Sequence, residues 1–104
     1  LIDQLCLVGM NLTQPVMILT LTADALDQPR QTVERELLTV LDAVNADLED
    51  HEKIAKLIIT SDSWTIDNGF LTPTLKVKRN LVEANYAGMI EREAANRRAV
   101  LVWV

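Results

Sequence analysis

The strongest constraint on this chain is a helical stripe set among short apolar runs. Over residues 31–48, Val33, Leu37, Leu41, Val44 and Leu48 recur at spacings of three and four, which predicts an amphipathic helix with one apolar face. Such a face needs a surface to cover it. Residues 5–8, 16–21 and 57–60 are rich in apolar and β-branched side chains and predict strands that supply that surface. The first two flank a loop holding Gly9, Asn11 and Pro15 and read as a hairpin-like pair, with Thr20 and Thr22 marking alternation on the second. The third, Leu57-Ile58-Ile59-Thr60, is apolar almost throughout and reads as a central strand ended by Ser61, Asp62 and Ser63. Residues 24–31 form a polar connection with room for one helical turn, in which Pro29 suits a first-turn position. The expected fold class is α+β, a small and mostly antiparallel sheet with helices packed on it.

Composition bounds what such a fold does. With 104 residues, 49% of them apolar, the chain makes one domain around one core. Its net charge of −5 argues against nucleic acid or a generally anionic surface as partner. The single cysteine, Cys6, excludes an internal disulfide, fits a reducing cytoplasm and sits in an apolar alternation, as expected of a buried structural thiol. Met10 and Met17 read as core or rim filler. No signal peptide is visible, and no apolar run approaches the ~20 residues that span a bilayer. Leu1 replaces an initiator Met and begins in the middle of an apolar pattern, so a fragment of a longer protein is expected.

Two charged clusters draw bland readings. Glu34, Arg35, Glu36 and Asp42 lie off the apolar stripe and form a solvated face. Asp47, Glu49, Asp50 and Glu52 surround His51 at spacings that match no metal-ligand pattern, so no metal site is assigned. His51 is expected near the last carbonyls of the preceding helix.

The chemistry concentrates in residues 64–80. Asn68-Gly69 is a strong signal for a tight type I′ turn, because both residues tolerate positive φ. Pro73 has no N–H for a ladder and biases Thr72 to extended backbone, predicting a stiff arm that leaves Lys76 at its end. Asn80 is a good N-cap and Glu83 can close a capping box, which predicts a helix with Leu81, Val82, Tyr86, Met89 and Ile90 on its apolar side. Trp64 reads as a packing anchor beneath the turn. Lys76, Lys78 and Arg79 then stand beside free helix amides as a candidate anion site. From the residues alone, an ordinary solvated loop is the simpler account.

A family resemblance shifts that balance. Pro73, Thr74, the pair Leu75-Lys76 and Arg79 occupy the places where acyl-adenylate-forming enzymes carry a Pro, a Thr, a Gly-Lys pair and a basic residue three further on. Leu75 departs from the Gly. The run Leu71-Thr72-Pro73-Thr74, with Val44-Asn45, Leu48-Glu49 and His51-Glu52 upstream and Glu83 and Tyr86 downstream, resembles the C-terminal domain of long-chain fatty acid–CoA ligases.

That resemblance implies a function. The domain would be the mobile C-terminal part of an adenylate-forming enzyme, spanning residues 1–94, with a large N-terminal domain and hinge outside this sequence. Lys76 would be catalytic in acyl-adenylate formation. Arg79 and Lys78 would contact substrate, and Asn68, Gly69, Thr72, Pro73 and Thr74 would shape the lysine loop. Fatty acid, ATP and coenzyme A would be substrates, with Mg2+ bound outside these residues. Cytoplasmic location, with peripheral membrane association and homo-oligomerisation left open, goes with the same reading. The competing class is a non-enzymatic α+β module that binds a phosphorylated ligand or partner protein through residues 76–79. Residues 95–104 form an apolar tail that resembles nothing in the family. Its burial on the chain's own sheet, across a dimer or on another domain stays open.

Overall fold

The computed structural model describes residues 1–9, 12–96 and 98–104. Strand β1 (Ile2–Val8) turns back into β2 (Val16–Leu21) as an antiparallel pair, with Leu5 opposite Leu19 and Val8 opposite Val16. The chain then crosses the sheet through α1 (Ala23–Leu26), α2 (Arg30–Asn45) and a 3-10 turn at Asp50–Glu52. It arrives at β3 (Lys56–Ile59), which runs parallel to β2. A second crossing through α3 (Arg79–Asn85) and α4 (Ala87–Ala95) delivers β4 (Leu101–Trp103) parallel to β3. The sheet order is β1-β2-β3-β4.

The sheet is therefore mixed, which corrects the mostly antiparallel sheet expected above. The physical reason lies in the connections. A tight turn returns the chain antiparallel, whereas a helix laid across the sheet brings it back to the starting edge, so the next strand runs parallel. Only the loop between β1 and β2 is short enough for the first case among the described residues.

Helices cover both faces. On one, Val33, Leu37 and Leu41 of α2 pack on Leu19, Leu21, Leu57 and Ile59. On the other, Val82, Tyr86 and Ile90 pack with Trp64 and Leu71 on Cys6, Val16, Ile18 and Ile58. Strands buried on both faces lose the apolar–polar alternation, which is why β2 and β3 read as nearly continuous apolar runs. Cys6 belongs to this core, and burial pushes its thiol pKa up from the ordinary value.

Local chemistry moves several expected boundaries. Pro29 precedes α2 as its N-cap residue. The helix stops at Asn45, whose side-chain amide donates to Ile54 O at 3.0 Å and accepts from Ile54 N at 2.9 Å. Val44 lies within α2 but is exposed, and Leu48 lies beyond the helix. His51 sits in the 3-10 turn, held by a reciprocal Glu49–Glu52 capping box, and not at the end of α2. The expectation for Met10, like the placement of Asn11 and Arg97, lies outside the described residues.

The C-terminal residues join the sheet. Leu57 N donates to Val100 O and Val104 N to Ile59 O, each at 2.8 Å, stitching β4 to β3. Trp103 is pinned from the other side, its indole N–H bonding Glu34 Oε1 at 2.6 Å and its ring lying 4.5 Å from the Arg30 guanidinium. Among the described residues, no helix is long and apolar enough to cross a membrane.

Candidate functional site

Two consecutive turns between β3 and α3 build the site. In the first, Gly69 N donates to Ile66 O at 3.1 Å and Leu71 N to Thr65 O at 3.1 Å. The Asn68 side chain ties it together. Its Oδ1 accepts from Thr65 N (3.0 Å) and Phe70 N (3.2 Å), while its Nδ2 donates to Ser63 O at 2.7 Å. Gly69 takes φ +87°, but Asn68 does not reach positive φ, so the expected type I′ turn is not formed. The amide of Asn68 is worth more as a brace for three backbone groups than as a tolerant turn residue.

The second turn carries the lysine. Leu71 and Val77 form an antiparallel bridge, Lys78 N donates to Phe70 O, and Thr72 N donates to Lys76 O, the last two at 2.8 Å. Leu75 N closes the tip onto Thr72 O at 2.8 Å, placing Pro73 at the first central position, where its fixed φ is already correct. The arm is thus a compact hairpin and not the extended segment expected from Pro73. Thr72 Oγ1 accepts from Lys76 N at 3.0 Å and lies 3.1 Å from Thr74 Oγ1, so both threonines stiffen the tip.

Leu75 takes φ +65°. This left-handed backbone suits the Gly found at this place in the wider superfamily and costs a leucine roughly 1–2 kcal/mol. It turns the chain so that the next residue, Lys76, stands exposed at the end of the hairpin. Among the described residues, the Lys76 ammonium takes part in no ion pair or hydrogen bond. Lys78 and Arg79 are exposed as well, and Arg79 Nε lies 3.9 Å from Glu83 Oε1.

The helix start differs from expectation. α3 begins at Arg79 with Lys78 as the cap residue, without a side-chain cap bond, so Asn80 is already inside the helix and the Asn80–Glu83 capping box is absent. The bond from Lys78 N to Phe70 O explains the shift, because closing the hairpin fixes Lys78 where the helix must start. The helix expected to follow is also broken in two. Tyr86 (φ −108°, ψ 15°) joins α3 to α4, yet Val82, Tyr86 and Ile90 remain on one buried face.

Beneath the turns lies an aromatic anchor. Trp64 and Tyr86 are 5% and 8% exposed, and Phe70 packs beside them with ring centroids 6.3–6.4 Å apart. The Tyr86 hydroxyl donates to Asp62 Oδ2 at 2.7 Å and accepts from the Trp64 indole N–H at 3.2 Å. Burial, then the bond to Asp62, raises the Tyr86 pKa above 10.0. This network was not singled out from sequence. A tyrosine on a buried helical stripe was the available signal, since its hydroxyl must find a partner.

No cavity encloses Lys76 among the described clefts. A cleft of about 500 Å³ lies elsewhere, lined by Gln14, Lys56, Glu93, Asn96 and Val100. Lys56, at 3% exposure, donates to Glu93 O (2.8 Å) and Asn96 O (2.5 Å) at the end of α4. Among the described residues, no group of three or more His, Cys, Asp and Glu side chains is placed to hold a metal.

A four-stranded mixed sheet covered by helices on both faces, with an exposed lysine on a braced hairpin, defines a small α+β domain. Residues 1–97 match the AMP-binding enzyme C-terminal domain family, and the chain belongs to that family. Among solved structures, it is similar to the adenylation–carrier didomain of carboxylic acid reductase from Segniliparus rugosus in complex with AMP. That likeness has a TM-score of 0.69 at 26% identity and covers 88% of this chain and 13% of the other. The adenylation domain of a carboxylate reductase from Mycobacterium chelonae shares the fold at a TM-score of 0.72 and 19% identity, over 91% of this chain and 16% of that one. A long-chain-fatty-acid–acyl-carrier-protein ligase of Arabidopsis thaliana is 40% identical over 40 residues, 38% of this chain and 6% of the relative. A long-chain-fatty-acid–CoA ligase of Drosophila melanogaster is 38% identical over 45 residues, 43% and 7% of the respective chains. The chain thus spans well under a tenth of the length of these curated relatives over the matched region.

Proposed function

We propose that this domain serves a long-chain fatty acid–CoA ligase by bringing Lys76 to the reacting carboxylate and α-phosphate of a large N-terminal domain. The observation that carries the reading is the Lys76 ammonium, without an ion-pair partner among the described residues and exposed at the tip of a hydrogen-bonded hairpin whose base is anchored in the core through Leu71. Two named relatives that act on long-chain fatty acids support the substrate class.

The chemistry explains the need for such a lysine. A fatty acid carboxylate oxygen attacks the α-phosphorus of ATP, forming an acyl-adenylate as the bond to pyrophosphate breaks. Both reactants are anionic, so a cation between their oxygens relieves repulsion and stabilises the charge that develops. The thiol of coenzyme A then attacks the acyl carbon, AMP leaves with the bonding electrons, and the thiol proton is released. Lys76 has no task in this second step. An exposed hairpin on a separate rigid domain can be withdrawn by rotation between the steps, as a hinge motion allows. Arg79, positioned in the first turn of α3, and Lys78 would contact phosphate oxygens during the first step.

The test is Lys76→Ala in the full-length chain, with fatty-acid-dependent ATP–pyrophosphate exchange compared against thioester formation from supplied acyl-adenylate. Exchange is expected to fall by roughly two orders of magnitude or more, with thioester formation largely spared. Unchanged exchange refutes the role of Lys76 and returns residues 76–79 to the binding-module reading. Running the second step with coenzyme A and with a carrier protein identifies the acceptor thiol.

A further inference from the structure

Resting on that reading, in which Arg79 meets phosphate oxygens in the first step, we propose that Glu83 is a positioning residue: its carboxylate holds the Arg79 guanidinium by the inner nitrogen, Nε, and leaves the two terminal nitrogens as a fork for the phosphate.

Arg79 opens α3, directly after the cap residue Lys78. Its backbone is placed by the lysine hairpin, because Lys78 N donates to Phe70 O at 2.8 Å. Its guanidinium is not, and a second contact has to fix where that charge stands relative to Lys76. Glu83 supplies the contact. One turn along α3, Glu83 Oε1 lies 3.9 Å from Arg79 Nε, and among the described residues Arg79 makes no other ion pair and no side-chain hydrogen bond. An exposed pair at this spacing ordinarily adds little to a helix. Two observations set this one apart. Glu83 Oε1 is shut off from water and has no hydrogen-bond partner among the described residues, a costly state that a solvated surface carboxylate avoids. The carboxylate is also released from the capping box that its place in the sequence suggests, since Asn80 lies inside the helix. Among the described residues, the donor placed to meet the buried oxygen is Arg79 Nε. At 3.9 Å the contact is an ion pair that has still to close to hydrogen-bond length. A guanidinium held at Nε keeps two parallel N–H donors for phosphate oxygens, which a lysine ammonium cannot offer. Holding it so in advance reduces the side-chain ordering left to be done when phosphate arrives.

The test is a double-substitution cycle in the full-length chain, read by fatty-acid-dependent ATP–pyrophosphate exchange, with thioester formation from supplied acyl-adenylate as the control for folding. Glu83→Ala is expected to lower kcat/KM for ATP in exchange about fivefold or more, and Glu83→Gln, which keeps an acceptor for Nε, should recover most of that loss. In the Arg79→Ala chain, itself impaired in exchange, adding Glu83→Ala should change the rate by less than about twofold, because no guanidinium is left to hold. Thioester formation should be retained throughout. Full exchange in Glu83→Ala overturns the proposal, as does a loss that persists undiminished beside Arg79→Ala or is shared equally by both half-reactions. Lys76→Ala separates the two readings. If it abolishes exchange while Glu83→Ala leaves exchange intact, the role of Lys76 stands and the positioning role alone fails. If it leaves exchange unchanged while Arg79 and Glu83 are coupled, the lysine assignment fails and the pair stays supported.

Discussion

Lys56→Met tests what holds the second crossing onto the sheet. Lys56 begins β3 and is buried, with its ammonium bonded to the carbonyls of Glu93 (2.8 Å) and Asn96 (2.5 Å) at the C-terminal end of α4. The Glu93 carboxylate also lies close, with Oε2 at 3.5 Å from Nζ, but that oxygen is buried without a hydrogen bond among the described residues. Two mechanisms can then be separated. Hydrogen bonds from a charged donor contribute about 1.5–3 kcal/mol each, and a cation at a helix C-terminus is further favoured by the exposed carbonyl dipoles. The buried ion pair, by contrast, gains Coulomb energy that desolvation largely offsets. Carbonyl capping should therefore dominate. Methionine retains the apolar stem but leaves two helix-end carbonyls and a buried carboxylate oxygen unmet, so Lys56→Met should cost about 3 kcal/mol. Glu93→Gln, which keeps both carbonyl bonds, should cost about 1 kcal/mol or less. In urea unfolding of the 104-residue chain, Lys56→Met would lower the midpoint by roughly 1–3 M at the slopes usual for small domains. A Glu93→Gln loss as large as that of Lys56→Met would refute the reasoning and make the ion pair the main contributor.

The Tyr86–Asp62 bond predicts an alkaline loss of stability. The folded chain holds the Tyr86 proton above the ordinary value of 10.0, so this stabilisation is full below about pH 10 and declines as pH rises through the folded value. Tyr86→Phe should flatten that part of the urea-midpoint profile; an unchanged slope counts against the buried phenol. At the other edge of the fold, Trp103→Ala removes the bond to Glu34 and the stack under Arg30. Exchange of the Val104 amide, bonded to Ile59 O, should accelerate about tenfold or more while the β2 amides hold, read by hydrogen exchange. Equal protection in both chains would show that β4 is held by its backbone bonds alone.

Much of the fold was legible because it follows from periodicity. The spacing of Val33, Leu37 and Leu41 announces the buried face of α2, and the unbroken apolarity of residues 57–59 announces a strand covered on both sides. The lysine segment was legible as a motif through the family resemblance, since Pro73, Thr74 and Lys76 are close neighbours in the chain, but its folding back as a hairpin was not. What failed was local geometry set by distant partners. Asn68-Gly69 and Asn80 each satisfy a strong local rule, but a bond from Lys78 N to Phe70 O and the Asn68 brace on Ser63 take precedence. Likewise, Asn45 ends α2 by reaching Ile54 across the following loop, so Leu48 never extends the stripe.

The division between the two levels has a physical cause. Burial patterns belong to single segments, because a side chain's transfer out of water depends on its own chemistry, and these already dictate β1, β2, β3, α2 and the buried Cys6, though not the pairing of β4. The direction of β3 and β4 depends on where a connecting helix comes to rest, and the burial of Lys56 depends on the end of α4 arriving beside it. The left-handed turn at Leu75 likewise arises only when Leu71 and Val77 pair. The strand directions and the burial of Lys56 are decided by contacts between residues far apart in the chain, whose energies no local window contains.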